Sequence, residues 1–211
     1  MAHFEIVAHR GMASEAPENT IAAFQRALEL GADAIELDVR LTADRVPVVY
    51  HYYYLDEVTT GRGPIFARSL AQLRAERVLC RANRAAAPEP IPTLREVLER
   101  FGGRIGFEIE VKGPEPEAAE VIGAELRRFR QHWPRLEATS YEPALLLALQ
   151  GFCPGLTTDL LVPRSESWMQ LDVVAYQAGQ RARLAHAHAV HLHPTQLTPA
   201  VVAYLREQNV Q

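Results

Sequence analysis

Residues able to do acid–base, metal or phosphate chemistry recur at four places along the sequence, each at the end of a short apolar run. His9-Arg10-Gly11 follows the run from Phe4 to Ala8. Glu36 and Asp38 stand two apart within Ala34 to Val39, so strand alternation turns both carboxylates to one side. His51 closes the run beginning at Val46, and Glu108, Glu110 and Lys112 are in phase within Ile105 to Lys112. Carboxylates gathered at this density repel unless a cation neutralises them. The oxygen ligands of Glu36, Asp38 and Glu110 suit a hard divalent ion, Mg²⁺ or Ca²⁺. Such an ion polarises a phosphoryl oxygen. Arg10 and Lys112 would take the remaining phosphate oxygens. His9 and His51 titrate near neutrality and fit general acid and base roles. The implied chemistry is phosphoryl transfer or phosphodiester hydrolysis. Glu108 is the weakest member and is expected to pair with an Arg or Lys on a neighbouring strand.

These side chains meet only if the runs lie side by side with their carboxyl ends on one face. The pattern along the chain supports that arrangement. Strands are expected at Phe4 to Ala8, Ala34 to Val39, Val46 to His51, Ile105 to Lys112, Leu136 to Ser140, Thr157 to Val162 and Ala187 to His191. Between most of them lie helical stretches: Ile21 to Leu30, Thr93 to Arg100, Pro116 to Gln131, Pro143 to Leu149 and Trp168 to Gln177. A last helix opens at Thr198-Pro199, with Thr as cap and Pro at the first helical position. Tyr52 to Pro92 is less regular, with one short helix near Ser69 to Ala75. Seven strand–helix units point to an α/β fold, either a (β/α) barrel or an open doubly wound sheet. No Gly-x-Gly-x-x-Gly follows the first strand, which weakens a dinucleotide-binding version.

Composition narrows the function. Of 211 residues, 48% are hydrophobic and 23% charged, enough for one large core, so residues 1–211 read as a single domain. The net charge of −4 offers no general attraction for nucleic acid or an anionic membrane. Any phosphate site must therefore be local. Cys80 and Cys153 suggest buried thiols, not a disulfide framework. There is no charged n-region with an apolar run after Met1, and no window of about 18 apolar residues. The expected setting is soluble and cytoplasmic, without stable membrane association; nothing in the sequence sets the oligomeric state. The histidines at 186, 188, 191 and 193 are read as structural or solvated.

At this point the motifs match a known family. Val7-Ala8-His9-Arg10-Gly11, Pro17-Glu18-Asn19-Thr20, Glu36-Leu37-Asp38-Val39 and Val46-Pro47-Val48-Val49-Tyr50-His51 resemble, in order, the opening of glycerophosphodiester phosphodiesterases. Glu108-Ile109-Glu110-Val111-Lys112, Ser140-Tyr141-Glu142-Pro143 and Leu197-Thr198-Pro199 continue the resemblance over essentially the whole chain. It implies a (β/α)8 TIM barrel of the phospholipase-C-like phosphodiesterase type. It also implies hydrolysis of a small-molecule glycerophosphodiester to glycerol 3-phosphate and an alcohol. His9 and His51 match the family's catalytic histidines, Glu36, Asp38 and Glu110 its metal ligands, and Arg10 and Lys112 its phosphate contacts. Glu18 looks like a residue orienting His9 or Arg10. The alternatives are an impaired homologue that binds a phosphorylated ligand, and a related barrel enzyme acting on lipid. Two departures stand out. The Asp that usually follows the second histidine is Tyr52, and Glu57-Val58-Thr59 replaces Arg-Thr-Thr. The family's eighth strand would follow Glu207 to Gln211, where this sequence ends, so the expected barrel lacks its eighth strand and helix.

Overall fold

A computed structural model describes residues 4–211; Met1 to His3, which open the expected domain and the stretch read for a leader, lie outside the described residues. The elements are β1 (Val7–His9), α1 (Ile21–Glu29), β2 (Ala34–Leu41), β3 (Pro47–Val49), α2 (Leu70–Leu73), α3 (Leu94–Phe101), β4 (Gly106–Val111), α4 (Ala118–Arg128), β5 (Leu136–Ser140), α5 (Pro143–Phe152), β6 (Thr157–Leu161), α6 (Leu171–Leu184), β7 (Val190–His191) and α7 (Pro199–Glu207). Helix starts follow capping chemistry. Thr20, Thr93 and Thr198 accept hydrogen bonds from backbone N–H groups one turn on, and Thr93 forms a reciprocal box with Glu96.

Six strands are parallel in the order β1-β2-β4-β5-β6-β7, an α/β sheet with helices on its convex side. The third expected strand corrects the sequence reading. β3 runs antiparallel to β2, pairing Val39 with Val49 and Leu41 with Pro47. The reason is the length of Thr42–Val46, which closes as a tight turn with Thr42 N–H donating to the Val46 carbonyl at 3.1 Å. A parallel connection needs a crossover of a dozen or more residues. The parallel strands thus number six among the described residues, not seven. The sheet is open, with β1 at one edge. At the other, the Val190 N–H donates to the Gln211 carbonyl at 2.8 Å along the outer edge of β7.

The sheet curls strongly. His191 on β7 lies 3.2 Å from Glu108 on β4, three strands away. Flat strands about 4.8 Å apart could not bring them together. Alternation then sorts the two faces. Ile35, Leu37 and Val39 of β2 and Phe107, Ile109 and Val111 of β4 are buried on the convex side, against Phe24, Leu98, Phe101, Ile122 and Leu126 of the helices. Glu36, Asp38, Glu108 and Glu110 take the concave side. A second core, Leu146, Leu160, Ala178, Ala182, Val201 and Leu205, sits under α5, α6 and α7. A third, including Tyr50, Leu55, Ile65, Val78 and Ile91, organises the segment expected to be irregular. No helix of the described residues is long and apolar enough to cross a membrane.

Candidate active site

Two in-phase strands build the centre. The register sets Glu36 beside Glu108 and Asp38 beside Glu110. Oxygens of Glu36, Asp38 and Glu110, all buried, lie within 4.8 Å of one another, a spacing that one divalent ion could span. Burial and the neighbouring Asp38 push the Glu36 carboxyl up to about 8. Burial also raises Glu110. Asp38 goes the other way. Burial would raise it, but Lys112, then His51 where it is charged, and Arg10 hold it below the usual carboxylate range. Lys112 Nζ stands 2.6 Å from Glu110 and 3.1 Å from Asp38, so it neutralises the pair from one side.

Arg10 serves the other side. It adopts a left-handed backbone (φ 57°), and its N–H donates to the Glu36 carboxylate at 2.9 Å. Its guanidinium lies 3.2 Å from Asp38 and donates to Glu18 at 2.9 Å. Glu18 therefore contacts Arg10, one of the two partners expected for it. Gly11 makes the turn possible. At φ 78° a Cβ there would fall 2.7 Å from the Ala23 carbonyl carbon. Asn19 is a residue that the sequence reading passed over. It is buried, also left-handed, and its amide donates to Asp38 at 2.8 Å while its oxygen accepts the Asp38 N–H at 3.3 Å. Its place in the motif Pro17-Glu18-Asn19-Thr20 was the available signal, but nothing in that motif names the side chain Asn19 would meet.

The two histidines differ. His9 ends β1 at the level of Glu36, with Nε2 3.9 Å from that carboxylate and its side chain exposed. His51 arrives from the antiparallel β3, not from a parallel strand end. The hairpin carries it back along β2, where the Tyr50 N–H donates to the Asp38 carbonyl at 2.9 Å. Burial above all, opposed by Asp38 and aided by Lys112, Arg10 and Arg40, lowers its imidazole to about 4, so it is neutral at pH 7. Its Nδ1 is buried without a hydrogen-bond partner among the described residues. The Tyr52 ring stands edge-on to it with centroids 4.6 Å apart. Tyr52 OH lies 3.5 Å from Arg10 and 3.2 Å from Arg81. A cleft of about 230 Å³ opens beside Glu110 and Lys112, bounded by Arg40, Tyr53, Ser140 and Tyr141. Tyr53, whose ring faces Arg40 at 3.9 Å, lines it; Tyr52 does not.

Glu108 departs from expectation. Its partner is His191, not an Arg or Lys.

The arrangement gathers carboxylate oxygens at a spacing that one divalent ion could span, with two cationic side chains and two imidazoles beside them. A parallel α/β sheet with such a site is the pattern of a barrel phosphodiesterase. The comparisons agree. The model of the Glycerophosphoryl diester phosphodiesterase family matches residues 9–211, and the chain belongs to that family. It is similar to a glycerophosphodiester phosphodiesterase of Bacillus subtilis, 29% identical over 218 residues that span 89% of this chain and 74% of that protein. One from Caldanaerobacter subterraneus is 46% identical over 99 residues, 47% of this chain and 41% of its own length. The chain spans about half or less of the length of this and another curated relative, 41% and 52%. Among solved structures, a phosphodiesterase of Oleispira antarctica in complex with the product sn-glycerol-3-phosphate is 28% identical with a TM-score of 0.81. That match covers 99% of this chain and 82% of the other.

Proposed function

We propose that this chain hydrolyses glycerophosphodiesters to glycerol 3-phosphate and an alcohol, with a Mg²⁺ or Ca²⁺ ion held by Glu36, Asp38 and Glu110. The observation that carries the reading is the convergence of these three buried carboxylates with Lys112, Arg10, His9 and His51 at one end of the curled sheet. When bound, the ion would supply Lewis-acid polarisation of a phosphoryl oxygen. The chain's own residues do the rest. Lys112 and Arg10 are placed to steady the phosphate. With an ion held by Glu36, Asp38 and Glu110, Lys112 and Arg10 would be free to turn from their present carboxylate pairs toward the phosphate oxygens. Neutral His51 accepts the proton of the attacking oxygen, of water or of the substrate's own glycerol hydroxyl, as its bond to phosphorus forms. His9 in its protonated form gives a proton to the departing alcohol oxygen as that P–O bond breaks. Where the glycerol hydroxyl attacks, water then opens the cyclic phosphate to glycerol 3-phosphate. The likeness to a structure holding sn-glycerol-3-phosphate supports this substrate class, and the curled sheet of six parallel strands is consistent with part of a (β/α) barrel.

The test is release of glycerol 3-phosphate from glycerophosphocholine, followed by ³¹P NMR with and without EDTA and after adding back Mg²⁺ or Ca²⁺. The proposal expects loss on chelation and recovery with the ion. Turnover that ignores EDTA would remove the metal role, and no product under any condition would remove the activity.

A further inference from the structure

Below the catalytic carboxylates, the concave face carries a second polar cluster. Glu108 on β4, Glu137 on β5, Asp159 on β6 and His191 on β7 come from four successive strands of the sheet. Both ring nitrogens of His191 face carboxylates. Nδ1 is 3.2 Å from Glu108, while Nε2 is 3.3 Å from Asp159 and 3.8 Å from Glu137. A metal-binding imidazole normally presents one nitrogen to the ion and donates the other N–H to a carboxylate. Glu108 stands where that orienting carboxylate belongs. The Nε2–Asp159 spacing is close to the ~3.4 Å edge of a tetrahedron with bonds of about 2.1 Å and the Nε2–Glu137 spacing is longer, while ligand atoms of Glu108, Glu137 and His191 lie within 4.8 Å of one another.

Three further observations fit a ligand here. Asp159 is buried and its other oxygen accepts the Ala189 N–H at 3.0 Å, which pre-orients the carboxylate toward the imidazole. Thr139, in register with Asp159 on one side and with Glu110 on the other and on the same face of β5 as Glu137, is fully buried. Its hydroxyl has no hydrogen-bond partner among the described residues. A cavity of about 230 Å³ reaches Glu108 and Glu137 from the amino ends of the strands, between Glu5, Val7 and Arg135. Two carboxylates of the cluster, Glu108 and Glu137, thus open to the mouth opposite the catalytic face.

We propose that this cluster is a second metal site, taking a divalent transition ion, Zn²⁺ best and Mn²⁺ as its spectroscopic stand-in, on His191 Nε2, Glu137 and Asp159. One imidazole with carboxylates suits that class better than Mg²⁺ or Ca²⁺. Its role is structural. β7 is only two residues long, and an ion shared by β5, β6 and β7 fastens it to the rest of the sheet. This site does not depend on the proposed activity.

Mn²⁺ is the probe, counted by equilibrium dialysis on the chelator-stripped chain and examined by pulsed EPR on protein labelled with ¹⁵N-histidine. Two ions per wild-type chain are expected, one showing ¹⁵N coupling. His191→Ala and Glu137→Gln should each bind one fewer ion; His191→Ala should lose the coupling, and both should keep glycerophosphodiester turnover within about twofold. Asp38→Asn should lose the other ion and retain the coupled one. At a hundredfold excess over its Kd, Zn²⁺ should raise the Tm of Asp38→Asn by about 5–10 °C, and should not do so once Glu137→Gln is added. A single ion in the wild type, two ions surviving in Glu137→Gln, or unchanged coupling in His191→Ala would overturn the site. If His191→Ala fails to fold, Glu137→Gln decides by the same count.

Discussion

In the proposed mechanism, His51 is the residue where function most visibly overrides stability. A buried ring nitrogen without a partner costs about 1–3 kcal/mol, which a purely structural histidine would have no reason to carry. His51→Ala is expected to lower kcat by about 10²–10⁴ while changing unfolding free energy by less than about 1 kcal/mol, measured by turnover and urea denaturation. A variant that loses stability but keeps its rate would make His51 structural. Glu36 gives a pH prediction. With its carboxyl at about 8, Glu36 is protonated in the metal-free protein below that pH and must lose the proton to ligate an ion. Ion binding at the catalytic carboxylates should therefore release close to one proton at pH 7 and weaken as pH falls. Calorimetric Mg²⁺ titrations in buffers of different ionisation enthalpy read that number directly; zero release would remove Glu36 from the ligand set.

At the scale of elements, the turn after β1 joins backbone geometry to charge placement. Arg10 and Gly11 both have positive φ, and the bend delivers the Arg10 N–H to Glu36 and its guanidinium to Asp38 and Glu18. Gly11 also packs against the backbone of α1 at Ala23. Gly11→Ala would add both a strained φ and a steric overlap. It should cost about 2–3 kcal/mol in urea unfolding and lower turnover as well, because the bend sets Arg10. A neutral effect would show that the turn relaxes freely. The β2–β3 hairpin is the other decisive element. The five residues from Thr42 to Val46 are too few to cross the sheet. That limit was present in the sequence, yet apolar periodicity alone made β3 look like another parallel strand.

At the scale of the whole molecule, stability is distributed unevenly. β2 pairs with β4 along six residues over the largest core, whereas β7 pairs with β6 through two residues over the smaller one. Local opening follows such differences. In metal-free protein, the amides of Leu37 and Ile109 should exchange with deuterium roughly a hundredfold more slowly than those of β7 and α7. Equal protection throughout would mean that the sheet opens as one unit.

What the sequence determined by itself was whatever depends on neighbours along the chain. Two-residue alternation put Glu36 with Asp38 and Glu108 with Glu110. Cap residues such as Thr20, Thr93 and Thr198 marked where helices begin, and the ordered motifs pointed to the family. The tertiary structure decided what depends on direction and curvature. It turned β3 antiparallel, brought buried Asn19 onto Asp38, and set Arg10 between Asp38 and Glu18. It also curled β7 round until His191 met Glu108. Such contacts join residues far apart in sequence, and no local pattern encodes the angle at which one strand lies against the next.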